Sequence, residues 1–269
     1  MARARTRFGS RILIATLAAG VIASAAGAQA AVITIPVGSD VSGNGQGFAP
    51  FTTVGDTNGN RYQQIYSSAF FLSGGGAQSI LDVAFRPKQG AFGSFIGSSL
   101  TISDLIVRLS TTARNADTDF PNGLSGDLDL NPGADALTVF QGPITLTTDR
   151  LLGDTDVEDF DYRIAFQNAF LYRPGLGNLL LDVIIPAGAS VRSNGASFTQ
   201  LDSFTDGFPS RDGTASATDA NLRDGLSVGS NSTTGVVTQF RTTAVPEPAS
   251  LTLLGLGSVA LAARRRRQR

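Results

Sequence analysis

Apolar side chains recur at every second position in several stretches of this chain, the period of a strand with one buried face. In Ser79–Arg86, Leu81, Val83 and Phe85 point one way, and Asp82 and Arg86 the other. Phe160, Tyr162, Ile164 and Phe166 alternate with Asp161, Arg163 and Ala165. Val236, Thr238 and Phe240 alternate with Val237, Gln239 and Arg241. Leu179, Leu181, Val183 and Ile185 alternate with Leu180, Asp182 and Ile184, so both faces are largely apolar and the strand is expected in the centre of a sheet. Leu100–Leu109 slips phase between Ile102 and Leu105, which predicts a β-bulge at Ser103-Asp104. No stretch of comparable length keeps a helical period. Turn formers punctuate the strands, among them Asn122-Gly123, Asn131-Pro132-Gly133, Pro174-Gly175 and Asn194-Gly195. Residues 37–60 and 202–219 are poor in apolar anchors and read as loop-dominated. The expectation is an all-β chain: a single β-sandwich or jelly-roll domain over residues 31–243, with no internal repeat and no linker dividing it.

Two other apolar runs are continuous rather than alternating, and they lie at the ends. Arg3, Arg5, Arg7 and Arg11 precede Ile12–Ala26, and Ala28-Gln29-Ala30 follows as a small-residue cleavage site. Residues 1–30 therefore read as a helical signal peptide handled by a secretion translocase, with the mature chain starting near Ala31. At the other end stand Pro246, Glu247 and Pro248, then the apolar run Ala249–Ala263, then Arg264, Arg265, Arg266 and Arg267. The run is shorter than the roughly 20 residues that span a bilayer comfortably, and the arginines behind it resist translocation. It predicts a short hydrophobic helix anchored transiently in the membrane, with the two prolines keeping the preceding peptide extended and accessible. This order of elements resembles the PEP-CTERM sorting signal over residues 244–269. The resemblance implies cleavage by an exosortase-type membrane protease, a Gram-negative host making extracellular polysaccharide, and a cell-surface or extracellular destination. Arg61–Tyr66 and Gly177–Val183 resemble segments of secreted β-sandwich proteins that often carry such tails.

Setting the two end segments aside changes the charge balance. Of 21 basic residues, four arginines lie in the first segment and five in the last, leaving 12. Of 22 acidic residues only Glu247 falls in an end segment, so 21 remain and the body carries a net charge near −9. Such a body repels nucleic acid and anionic surfaces. The chain has no cysteine and no histidine, which excludes disulfides, Ser-His-Asp and Cys-His catalysis, and zinc or haem sites built on those ligands. It has no tryptophan, the usual platform for stacking a sugar.

What remains for chemistry is aspartate and tyrosine. Asp127, Asp129, Asn131 and Asp135 place oxygens at alternate positions, as the opening of a calcium loop does. Pro132 stands where such a loop needs glycine and no closing glutamate follows, so a polar turn is the competing reading. Asp149, Asp154, Asp156, Glu158, Asp159 and Asp161 crowd a second stretch, either a solvated loop or a structural calcium clip. No other cofactor is expected. Tyr62 and Tyr172, with Tyr66, Tyr162 and the adjacent Arg61, Arg163 and Arg173, form a candidate sugar-binding groove, the alternative being tyrosines packed at the sandwich surface. Glu158 is the one glutamate outside the tail, and a carboxylate pair for glycoside hydrolysis has no distinctive signature. The leading expectation is a non-enzymatic matrix protein associated with extracellular polysaccharide, with a calcium-assisted carbohydrate-binding module as the alternative.

Overall fold

The computed structural model describes residues 30–35, 45–47, 50–51, 55–56, 59–74, 76–87, 99–115, 123–125, 127–148, 159–193, 201–204, 214–219 and 235–245. The strands are β1 (Ala30–Ile35), β2 (Gly45–Gly47), β3 (Gly55–Asp56), β4 (Asn60–Tyr66), β5 (Gln78–Phe85), β6 (Ser99–Thr112) and β7 (Leu137–Thr147). They continue with β8 (Tyr162–Tyr172), β9 (Asn178–Ile185), β10 (Ser190–Ser193), β11 (Leu201–Phe204), β12 (Thr214–Asp219), β13 (Gly235–Val236) and β14 (Thr238–Ala244). Three 3-10 turns interrupt them: η1 (Ser68–Gly74), η2 (Leu128–Leu130) and η3 (Pro174–Leu176). The expected signal helix and C-terminal helix fall outside the described residues.

Two antiparallel sheets face each other as a sandwich. The smaller runs β1-β14-β5-β8; the larger runs β12-β4-β9-β6-β10-β3, with β7 also paired to β6. A three-stranded sheet, β13-β11-β2, completes the described strands. One core joins the two faces: Ile35, Ile80, Val83, Phe85, Ile164, Tyr172 and Phe240 from the smaller sheet meet Tyr62, Tyr66, Leu105, Val107, Leu181 and Val183 from the larger. Edge-to-face ring contacts lock the layers, Tyr66 on Phe240 at 5.0 Å between centroids and Phe51 on Phe85 at 5.7 Å.

The expected bulge in β6 is present. The register against β7 shifts between Ile102 and Leu105, where Ser103 and Asp104 stand opposite Pro143 alone. Proline has no amide hydrogen for the ladder, so this is a position where losing a rung costs little. Leu100, Ile102, Leu105, Val107 and Leu109 all remain in the core because the extra residue restores the phase. β9 lies between β4 and β6, as its two apolar faces predict.

Two readings need correction. In β5 the register against β14 skips Leu81, so Ile80 and Val83 share the core face and Leu81 leaves it. An alternation is preserved only while the ladder is regular, and a bulge inverts it upstream. Residues 202–219 hold most of β11 and all of β12, and β12 pairs with Arg61–Tyr66 of β4. Its sequence, Thr-Ala-Ser-Ala-Thr-Asp, offers small and polar side chains whose strand state comes from the partner rather than from their own apolar pattern.

A second, smaller core sits on the outer face of the larger sheet. Ile65 and Leu180 are covered there by Leu124 and Leu128 of the segment that leads into η2. The cover is pinned at Gly133, where a β-carbon would lie 1.7 Å from the Thr111 carbonyl oxygen, so only glycine fits that close approach.

Candidate functional site

The last strand leads directly to the Pro-Glu-Pro motif. β14 lies between β1 and β5, and it ends with the Val245 amide donating to the Ala77 carbonyl at 2.9 Å. The next residue is Pro246, which has no amide to extend the ladder. β1 pairs antiparallel to β14 with Ala30 opposite Thr243, so the expected signal-peptide junction lies beside the start of the sorting segment. Both chain ends therefore leave from one end of the smaller sheet. Ala28, Pro246, Glu247, Pro248, Arg264, Arg265, Arg266 and Arg267 lie outside the described residues.

The first group of candidate oxygens is divided among separate local tasks. Asp127 caps η2, its Oδ1 accepting from the Asp129 amide at 3.1 Å. Asp129, itself largely exposed, reaches Nη1 of Arg61 at 2.5 Å. Asn131 is buried: it accepts from the Ser125 amide and donates to the Gln63 side chain and the Ser125 carbonyl. Asp135 accepts from the Thr111 amide at 2.7 Å. Their oxygens do not converge, and among the described residues no cluster of three or more acidic side chains forms. The polar-turn reading fits this geometry. In the second acidic stretch Asp159 is described and exposed, while Asp154, Asp156 and Glu158 lie outside the described residues.

The tyrosines do not line a groove. Tyr62, Tyr66, Tyr162 and Tyr172 are each at most 2 % exposed, in the core between the sheets. Tyr66 hydrogen-bonds Thr238 Oγ1 at 2.8 Å, Tyr172 donates to the Gly177 carbonyl at 2.7 Å, and Tyr62 donates to Gln64. Their hydroxyls are satisfied inside, which is why a polar-tipped ring is tolerated there. A groove of about 620 Å³ lies elsewhere, between Thr112–Asn115 and Leu130–Gly133. Among the described residues its lining holds neither a carboxylate nor an aromatic ring.

Burial raises the pKa of Tyr66 and Tyr172 above the ordinary 10.0, with Tyr62 adding to the first and Asp135 to the second. A phenol whose pKa is raised on folding contributes stability below pH 10, and that contribution is lost as pH climbs above 10 towards the folded values. Alkaline titration should therefore show tyrosinate absorbance appearing together with loss of the β-sheet circular-dichroism signal. Ionisation of Tyr66 and Tyr172 near pH 10 with the sheet signal intact would contradict their burial.

The buried charges are arginine–aspartate pairs that strand periodicity alone did not reveal. Arg61 of β4 meets Asp182 of β9 with Nε and Nη2 on the two carboxylate oxygens, at 2.9 and 2.8 Å. Burial opposes the guanidinium charge, but Asp182 and Asp129 more than offset it and the Arg61 pKa is raised. Arg86 donates from both Nε, at 2.9 Å, and Nη2, at 2.6 Å, to Oδ2 of Asp202, and lies over the Phe160 ring at 5.1 Å. Asp82, fully buried on the outer face of the smaller sheet, lies between Arg163 at 2.8 Å and Arg241 at 2.7 Å, the latter off the hydrogen-bond line. Alternate polar positions in β4, β5 and β9 carried the only available signal, an arginine in one strand and an aspartate in another.

The fold and its exits define an all-β sandwich whose last strand continues into a sorting segment. Residues 244–267 match the PEP-CTERM protein-sorting motif. The motif marks the protein as an exosortase-processed one, exported to the cell surface or beyond. No curated protein and no solved structure matches the chain.

Proposed function

We propose that the mature protein is a non-catalytic component of the extracellular polysaccharide matrix, released there when exosortase removes its tail from a transient membrane anchor. The observation carrying this reading is the junction at Val245: a folded, acidic sandwich ends within one residue of the cleavage motif. The described carboxylates support it, since those in the interior serve arginines rather than a cleft. The carbohydrate-binding alternative loses its tyrosine platform to the core.

Replacing Pro246, Glu247 and Pro248 by alanine should leave the arginine tail attached, read by intact mass of the protein recovered from cells and medium. The unmodified protein should lack its C-terminal residues and fractionate with the secreted polysaccharide. Wild-type protein still ending at Arg269 would refute the processing, and mature protein free of polysaccharide would refute the matrix role.

A further inference from the structure

One end of the sandwich gathers the exposed leucines. Among the described residues the exposed large apolar side chains are Val32, Leu72, Leu130, Leu137, Leu171 and Leu176. Register and chain connection place the five leucines at one end of the domain, Leu137 and Leu171 at strand ends, Leu72 and Leu176 in the turns beside them and Leu130 beside Thr112, while Val32, opposite Arg241, lies in mid-sheet. Ala30, Ala244, Gln78 and Tyr172 mark that end of the smaller sheet, and Tyr66, Leu179 and Thr111 that of the larger. Leu72 belongs to η1, just before β5, and Leu176 to η3, just after β8, and they are 60 % and 70 % exposed. The two turns lie against one another, tied by Phe71 packing on Tyr172 at 5.0 Å. No charged residue occurs between Arg61 and Asp82, the stretch that contains η1. Single exposed leucines are ordinary; five gathered at one end of an acidic domain are a pattern.

This is also the end from which both chain termini depart. Only Pro246-Glu247-Pro248 separates Val245 from the apolar run at Ala249, a span of at most about 14 Å. Only residues 27–29 separate Ala30 from the other apolar run, which ends at Ala26. We propose that this leucine-bearing end rests on the lipid surface while the protein is tethered, with Leu72 and Leu176 in the interfacial layer. Asp159, which leads into β8, then faces away from the membrane, because Thr147 and Tyr162 stand at the opposite end of their strands. The proposal rests on the tail being held in the membrane.

The absence of cysteine makes the test direct. The full chain is reconstituted in phosphatidylcholine vesicles as single variants Leu72→Cys, Leu176→Cys, Asp159→Cys and Ser258→Cys, each carrying an environment-sensitive fluorophore. Labels at positions 72 and 176 should shift to the blue and be quenched by lipid-borne nitroxide, as should the label at 258, while the label at 159 stays aqueous. If the label at 258 reports lipid but those at 72 and 176 match the one at 159, the surface contact is wrong although the tether stands. If the label at 258 is aqueous, both readings fall. Protection at 72 and 176 only on adding membranes that contain the exosortase would overturn lipid as the occupant in favour of the protease.

Discussion

Asp182→Ala is expected to destabilise the sandwich by about 3–5 kcal/mol, the usual consequence of leaving a buried charge without its partner. Asp182 is 2 % exposed and grips Arg61 through two hydrogen bonds in the middle of the larger sheet. Without that carboxylate, the guanidinium keeps Asp129 and the Leu128 carbonyl at its edge but loses both contacts on its inner side. The pair need not be a net source of stability, because each ion was dehydrated to form it. The double variant Arg61→Met, Asp182→Leu should therefore recover most of the loss. Asp129 would then lose its partner, but its side chain is 78 % exposed and can hydrate. Denaturant unfolding of the two variants decides the matter. A double variant as unstable as Asp182→Ala would mean that the polar network itself, with Gln63 and Asn131, specifies how the η2 segment docks.

That network also shows where a one-dimensional reading stops. The inward positions of β8, β9 and β14 were legible because each strand buries one regular face or two, and the bulge in β6 because it displaces an apolar phase by a whole residue. In β5, Ile80 and Leu81 are adjacent and equally apolar, so the pattern does not say which of them the bulge expels. β4 was harder: Arg61, Gln63 and Gln64 look like solvent positions, yet all are buried, the first two against the η2 segment and Gln64 against Val236 of β13. Their partners outside β4 are 65 to 172 residues away in sequence. The same distance effect misled the site reading. Tyrosine beside arginine suggests an open groove, whereas Arg61 and Tyr62 point to opposite faces of one strand, one to Asp182 and the other into the core. The sorting segment was readable because its chemistry is local: two prolines, an apolar run and an arginine cluster need no partner to be recognised.

Phe240→Ala should lower stability by about 3–5 kcal/mol, the usual cost of removing one buried ring. The ring is fully buried and touches Tyr66 of the opposite sheet at 5.0 Å and Phe71 of η1 at 5.9 Å between centroids. Those neighbours are held by other contacts, Tyr66 by Thr238 and Phe71 by Tyr172, so the site cannot collapse to fill the void. The damage has a direction. Phe240 lies on β14, five residues before Val245, and β14 is the strand that fixes the start of the Pro-Glu-Pro motif. Hydrogen exchange should accelerate most in β14 and in its partners β1 and β5, while β6 and β9 stay protected up to the global limit. Val32→Ala on the neighbouring strand removes a side chain that is 60 % exposed and should change the melting temperature little. Uniform loss of protection across both sheets in Phe240→Ala would show that the sandwich opens as one unit. In that event the sorting junction would have no stability of its own, and exosortase would meet a motif either fully anchored to a folded body or attached to an unfolded one.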